Sequence, residues 1–124
     1  MATKRFQDLQ VYQLSESLSD EIWEMVNTWK PLAKDTIGKQ IIRAADSIGA
    51  NIAEGVGRGS YQDNRRFIRM AISSLNETQY WLRRAYNRNL LTTEQVDTLK
   101  PIINQLAPKL NSYLKSIVYV SEHE

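Results

Sequence analysis

Apolar residues recur along this chain at intervals of three and four, in four stretches separated by short polar or glycine-rich breaks. That is the period of one-sided helices, and no alternating strand pattern, repeat or low-complexity tract competes with it. The first predicted helix spans about residues 8–29. Val11, Leu14, Leu18, Ile22, Met25, Val26 and Trp29 form its apolar face. Glu16, Asp20 and Glu24, each four residues from the next, form an acidic row opposite, with Tyr12 and Trp23 at its flanks. Pro31 is expected to end this helix, because proline disfavours helical backbone in the residue before it. Asp35 is placed to cap the second helix.

The second helix is predicted over about 36–56, with Ile37, Ile41, Ala45, Ile48, Ile52 and Val56 facing the core. Small residues (Ala44, Ala45, Gly49, Ala50, Ala53) crowd it. A glycine inside a helix costs about 1 kcal/mol against alanine, so Gly49 implies close approach of another helix. Gly55, Gly57 and Gly59 are expected to stop the helix through the positive-φ conformations that glycine tolerates. The third helix is predicted over about 61–88, with Ser60 and Asp63 as a capping box and Phe67, Ile68, Ala71, Leu75, Thr78, Leu82, Ala85 and Tyr86 as its core stripe. The fourth spans about 93–119. Thr92 and Gln95 form its box, and Val96, Leu99, Ile103, Leu106, Leu110, Tyr113 and Ile117 form a seam of heptad type. Pro101 falls early in this helix and Pro108 in its interior, where a kink is expected. The tail from Ser121 is expected to fray. Short connections favour antiparallel neighbours. The reading is therefore all-α: a single domain over residues 1–124, an antiparallel up-down-up-down four-helix bundle.

Composition narrows the function. At 124 residues the chain can bury a real core as one domain. It has no cysteine, which excludes disulfides and thiolate metal sites and fits a reducing compartment. The opening residues lack the apolar core of a signal peptide, and no apolar run nears the roughly 20 residues of a membrane span. A cytoplasmic protein without membrane contact is expected. Enzymatic motifs are missing. His123 is the single histidine and sits in a charged tail, whereas a metal site or triad needs several convergent partners. Glu54 has no paired carboxylate or nucleophile beside it. Gly55-x-Gly57-x-Gly59 follows a helix and lacks the lysine of a phosphate loop. The expectation is a non-enzymatic protein with no cofactor and no metal.

Net charge is only +2, but it is unevenly spread. Residues 1–35 hold four basic and six acidic side chains, while residues 60–91 hold six arginines against Asp63 and Glu77. At about 100° per residue, Arg65, Arg69 and Arg83 fall within about 40° of one another, and Arg66 and Arg84 coincide about 60° further on. They lie opposite the core stripe, with Tyr80 among them. From Arg65 to Arg88 the row extends roughly 35 Å at 1.5 Å rise per residue. Arg65, Arg66, Arg69, Tyr80, Arg83, Arg84 and Arg88 are thus candidate nucleic-acid contacts, the arginines for phosphate and the tyrosine for stacking on a base. Two other readings remain open. The row is a solvated face, or it pairs with Glu16, Asp20 and Glu24 of a neighbouring subunit. Trp23, Met70 and Trp81, which fall outside the core stripes, favour an interface of some kind.

A polar stripe on the second helix comprises Gln40, Arg43, Ser47, Asn51 and Glu54, three or four residues apart on one side. It reads either as a binding site built from Arg43, Asn51 and Glu54 or as a buried, mutually hydrogen-bonded row that fixes helix register or joins subunits. The structural reading is preferred, since buried polar groups must be paired. Gly49 and Gly55 belong to the same packing and assembly motif.

The run Gln40-Ile41-x-Arg43-Ala44-Ala45-x-Ser47-Ile48-x-x-Asn51-Ile52-Ala53-Glu54-Gly55 resembles the signature of the bacterial four-helix-bundle proteins encoded in intervening sequences of 23S rRNA genes. Phe6, Asp8 and Leu9 fit that family's opening, and Pro31 fits its first connection. Phe67, Ala71, Ser74, Leu75, Asn76 and Glu77 fit its third helix, where Ser73-Ser74-Leu75 stands in place of the usual Gly-Ser-Leu. The chain is also similar to the accessory proteins of diversity-generating retroelements. The resemblance implies a homopentamer with no established enzymatic activity. Through the accessory proteins it also implies association with RNA or DNA and with a reverse transcriptase.

Overall fold

The computed structural model describes residues 5–123, with side chains as far as residue 117. The tail expectation at Glu124 and the side chain of His123 lie outside the described residues; the helix itself runs to His123. Four long helices make up the chain, and no strand occurs among the described residues. They are α1 (Gln10–Asn27), α2 (Lys39–Val56), α3 (Tyr61–Asn87) and α4 (Thr93–His123). A 3-10 turn, Phe6–Asp8, precedes α1.

The start of the second helix departs from expectation. Pro31 does not stop α1, which has already ended at Asn27 with Thr28 as its cap. Instead Pro31 opens a short helical turn, Pro31–Ala33, at the position where a missing N–H costs nothing. A π-helical turn, Lys34–Gly38, then leads without a break into α2, so Asp35 sits inside helical backbone and caps nothing. Gly38 permits the close packing there, since a Cβ on it would lie 2.8 Å from Val26 Cγ1.

The other caps follow the sequence. Ser60 Oγ accepts from the Asp63 N–H at 3.1 Å. The fourth-helix box is complete: Thr92 N–H donates to Gln95 Oε1 at 2.9 Å, and Gln95 N–H donates to Thr92 Oγ1 at 3.1 Å. Asn89 turns the chain between α3 and α4 at φ 60°, a conformation that asparagine tolerates better than most residues. α4 remains helical through both Pro101 and Pro108.

Each helix places its predicted stripe inside. Leu18, Ile22, Ile41, Ile48, Ile52, Ile68, Leu106 and Leu110 are fully buried, each contributing about 1.5–3 kcal/mol relative to exposure. Tyr86 is the exception: it is 60% exposed and leaves the core. Two buried hydroxyls, at Ser15 and Thr78, bond back to their own helix, to Tyr12 O at 2.7 Å and Ser74 O at 2.8 Å. Trp29 is buried, and its Nε1 donates to Leu90 O at 3.0 Å, tying the end of α1 to the α3–α4 connection.

α1 packs on α2 and α4, and α3 packs on α2 and α4, the α2–α3 contact being the most extensive. α1 and α3 lie diagonally, without close backbone contact, and meet only through the shared core. The glycines of α2 serve the closest approaches. A Cβ at Gly49 would sit 3.0 Å from Ser15 Oγ and 3.4 Å from the Tyr12 ring, which is the close helix approach its sequence position implies. Gly55 does not end the helix through a positive φ, and no described glycine has one. It lies within α2, where a Cβ would be 2.5 Å from Asn64 Oδ1 and 3.2 Å from Phe67 Cβ. Gly57 takes the C-cap in right-handed conformation.

Candidate nucleic-acid interface

α3 begins at the Ser60 cap and exposes the side opposite Ile68, Ala71, Leu75 and Leu82. Arg66, Arg69, Arg83 and Arg88 are exposed there, while Arg65 and Arg84 are half-buried. The face is therefore less uniform than the helical angles imply. Arg66 and Arg69 border a groove of about 430 Å³ shared with Asn51 of α2 and with Met70, Ser73 and Ser74. Arg83 instead borders a second groove, between α3 and α4. Arg66 lies 3.7 Å from Asp63. Among the described residues no carboxylate comes within ion-pair distance of Arg69, Arg83, Arg84 or Arg88.

One contributor escaped the sequence reading. Arg58, in the α2–α3 connection, stands 3.4 Å from Glu54 and lies over the Phe67 ring at 4.7 Å. Arg66 lies at the same distance from that ring. One buried aromatic thus steadies two guanidinium groups, each such contact contributing about 0.5–1 kcal/mol at an exposed site. Arg58 belongs to a loop and so fell outside any helical stripe; its spacing of four from Glu54 was the available signal.

Tyr80 is 55% exposed and meets Trp81 edge-on at 4.9 Å between centroids. Trp81 is half-buried rather than exposed, and its Nε1 donates to Glu77 Oε2 at 3.1 Å. Behind the face lies a polar node. Asn64 is half-buried against Gly55 and hydrogen-bonds to Tyr113 of α4. Burial pushes the Tyr113 hydroxyl pKa up, and the bond to Asn64 draws it partly back.

Within the single chain the polar stripe of α2 does not form a buried network. Gln40, Ser47 and Asn51 are half-buried, and Arg43 and Glu54 are exposed. Ser47 Oγ donates to Arg43 O at 2.7 Å and Asn51 Nδ2 donates to Ser47 O at 2.8 Å. These bonds return to the helix's own backbone, so the stripe fixes no contact with another helix of the chain. Glu54 faces Arg58 across solvent.

On α1, Glu16, Asp20 and Glu24 are exposed, as is Trp23 at 54%. The Tyr12 hydroxyl donates to Glu16 at 2.9 Å. That bond, with burial and the Glu16 and Asp20 charges, raises the Tyr12 pKa. α1 and α3 are not neighbours, but both rows flank α2: Glu16 and Asp20 line a groove with its Gly49 and Ala50, and Arg66 and Arg69 line one with its Asn51, and no ion pair joins the two rows among the described residues.

No helix is long and apolar enough to cross a membrane among the described residues. No curated protein matches the sequence. Among solved structures, the chain is similar to a protein of unknown function from the S23 ribosomal protein family of Bacteroides thetaiotaomicron. The two share 26% identity and a TM-score of 0.74 over 85% of this chain and 98% of that one. The model of the 23S rRNA-intervening sequence proteins matches residues 7–112, from the turn before α1 into the second half of α4. A match of that extent takes in the glycine-packed α2 and the arginine-bearing α3 together, and the chain accordingly belongs to the 23S rRNA-intervening sequence protein family.

Proposed function

We propose that this protein is a non-enzymatic, oligomeric helical bundle that binds nucleic acid along the arginine face of α3. The observation that carries the reading is the unneutralised charge on that face. Arg69, Arg83, Arg84 and Arg88 have no carboxylate in ion-pair reach among the described residues, and the acidic row of α1 belongs to a helix that α3 does not neighbour. Tyr80 stands exposed among them for stacking. Alternating helix directions are part of the same reading. Gly49, late in α2, packs on Tyr12 and Ser15, early in α1, and Gly55 packs on Asn64 at the start of α3. Both contacts support an up-down-up-down course. Assembly, taken as pentameric, is supported by surface that the chain leaves uncovered: Trp23, Leu32 at 79% exposure, Met70 at 42%, and the half-buried polar stripe of α2 beside Ala50 and Ala53. A ring would repeat the basic face, and weak phosphate contacts would add through multivalency.

The diagonal placement of acid and base favours a second reading, in which the α3 arginines pair with Glu16, Asp20 and Glu24 of a neighbour. Charge reversal separates the two. Fluorescence anisotropy with labelled single-stranded RNA and duplex DNA, run across a salt series, reads binding; light scattering reads size. If nucleic acid is the ligand, affinity falls steeply with salt. Replacing Arg65 and Arg69 by Glu then abolishes binding while the oligomer stays intact. Dissociation of that variant, rescued by Glu16→Lys with Asp20→Lys, supports the assembly reading. Absence of binding by the unaltered protein at low salt refutes the nucleic-acid reading, and a persistent monomer refutes assembly.

A further inference from the structure

α3 and α4 diverge enough to leave a groove of about 440 Å³ between them. Its floor is aliphatic. Leu82 and Leu99 are buried beneath it, and Val96 and Ile103 are half-buried along its side. Tyr86, the one predicted core residue that the fold leaves exposed, stands at its edge. Two cations border it from opposite helices, Arg83 on α3 and Lys100 on α4. The lining contains no Asp or Glu, and among the described residues neither cation has a carboxylate within ion-pair distance. An apolar floor between two unneutralised cations selects for an occupant with an apolar body and a negative head. Water satisfies only the cations, and an uncharged apolar molecule satisfies only the floor. The volume falls in the range of small-molecule sites, about 300–1,000 Å³.

We propose that this groove binds a small amphipathic anion, its apolar body lying on Leu82, Leu99 and Ile103 and its carboxylate or sulfonate held between Arg83 and Lys100. The groove shares Arg83 with the arginine face of α3, but Lys100 and the aliphatic floor lie outside that face, so the Lys100→Gln and Val96→Trp arms of the test read the groove apart from nucleic-acid binding. The test is a fluorescence titration of the folded protein with 1-anilinonaphthalene-8-sulfonate, with decanoate and decanol as competitors. The expected result is saturable uptake of one dye per chain, displaced by decanoate and far less by decanol. Arg83→Gln and Lys100→Gln each weaken binding about three- to tenfold. Val96→Trp fills the groove and removes binding, with helix content and melting temperature checked by circular dichroism. Three results would overturn the proposal: uptake that does not saturate, an affinity unchanged in the double Gln variant, or full binding by a folded Val96→Trp protein.

Discussion

Replacing Gly55 by alanine tests the packing of α2 on α3 against simple helix propensity, because the two predict opposite signs. Alanine in place of a helical glycine stabilises by at most about 1 kcal/mol. Yet the new methyl would stand 2.5 Å from Asn64 Oδ1 and 3.2 Å from both Asn64 O and Phe67 Cβ. Normal carbon contacts need about 3.5–4.0 Å, so Asn64 must move by about 1 Å. Overpacking of this kind costs about 1–3 kcal/mol. Displacing Asn64 also disturbs its hydrogen bond to Tyr113, about 0.5–1.5 kcal/mol more. The net expectation is a loss of about 2 kcal/mol, or on the order of 5–10 °C in Tm. Gly49→Ala is the matched comparison. Its methyl would meet the Ser15 hydroxyl at 3.0 Å and the Tyr12 ring at 3.4 Å, side-chain contacts that need give by only a few tenths of an ångström and involve no backbone atom. There the propensity gain offsets the contact, and stability should stay within about 1 kcal/mol of wild type. Urea unfolding followed by circular dichroism, at one fixed protein concentration, gives both values. A Gly55→Ala protein as stable as wild type, or more so, would refute the packing argument.

Removing the caps should cost about 1 kcal/mol for Ser60→Ala and about the same for Thr92→Ala, which loses the bond from Gln95 N–H but keeps the one from its own backbone N–H to Gln95 Oε1; urea midpoints check both. Asn51→Ala and Glu54→Ala should each change unfolding stability by less than about 0.5 kcal/mol, because neither side chain holds another helix of the chain. A loss of 2 kcal/mol at fixed concentration that accompanies dissociation would instead place them between subunits. The Tyr113 hydroxyl has its folded pKa raised above the unfolded value, chiefly by burial. Its contribution is therefore complete below about pH 10 and is lost as pH rises through the folded pKa. Tyr113→Phe should reduce the fall in stability above pH 10, read by denaturation at stepped pH, and should remove a late step from the absorbance titration at 295 nm.

The sequence by itself determined the helices and their inward faces. Period, capping chemistry and glycine content are local properties, legible from Val11 to Trp29, at Ser60 and Thr92, and in the run Gln40–Gly55 that carries the family resemblance. It also located the arginines on one helix, since their angular positions follow from the helical repeat. Tertiary structure decided what those features meet. Pro31 starts a helix rather than ending one, because the chain had already turned at Thr28. Tyr86 leaves the core because its side of α3 opens onto the groove toward α4. Arg58 joins the basic face from a loop by stacking on Phe67, a contact that no helical period encodes. The polar stripe of α2 stays at the surface because its hydroxyl and amide bond back to their own backbone. The acidic and basic rows are kept apart because α1 and α3 occupy diagonal positions, and that depends on which helices are neighbours rather than on spacing along the chain.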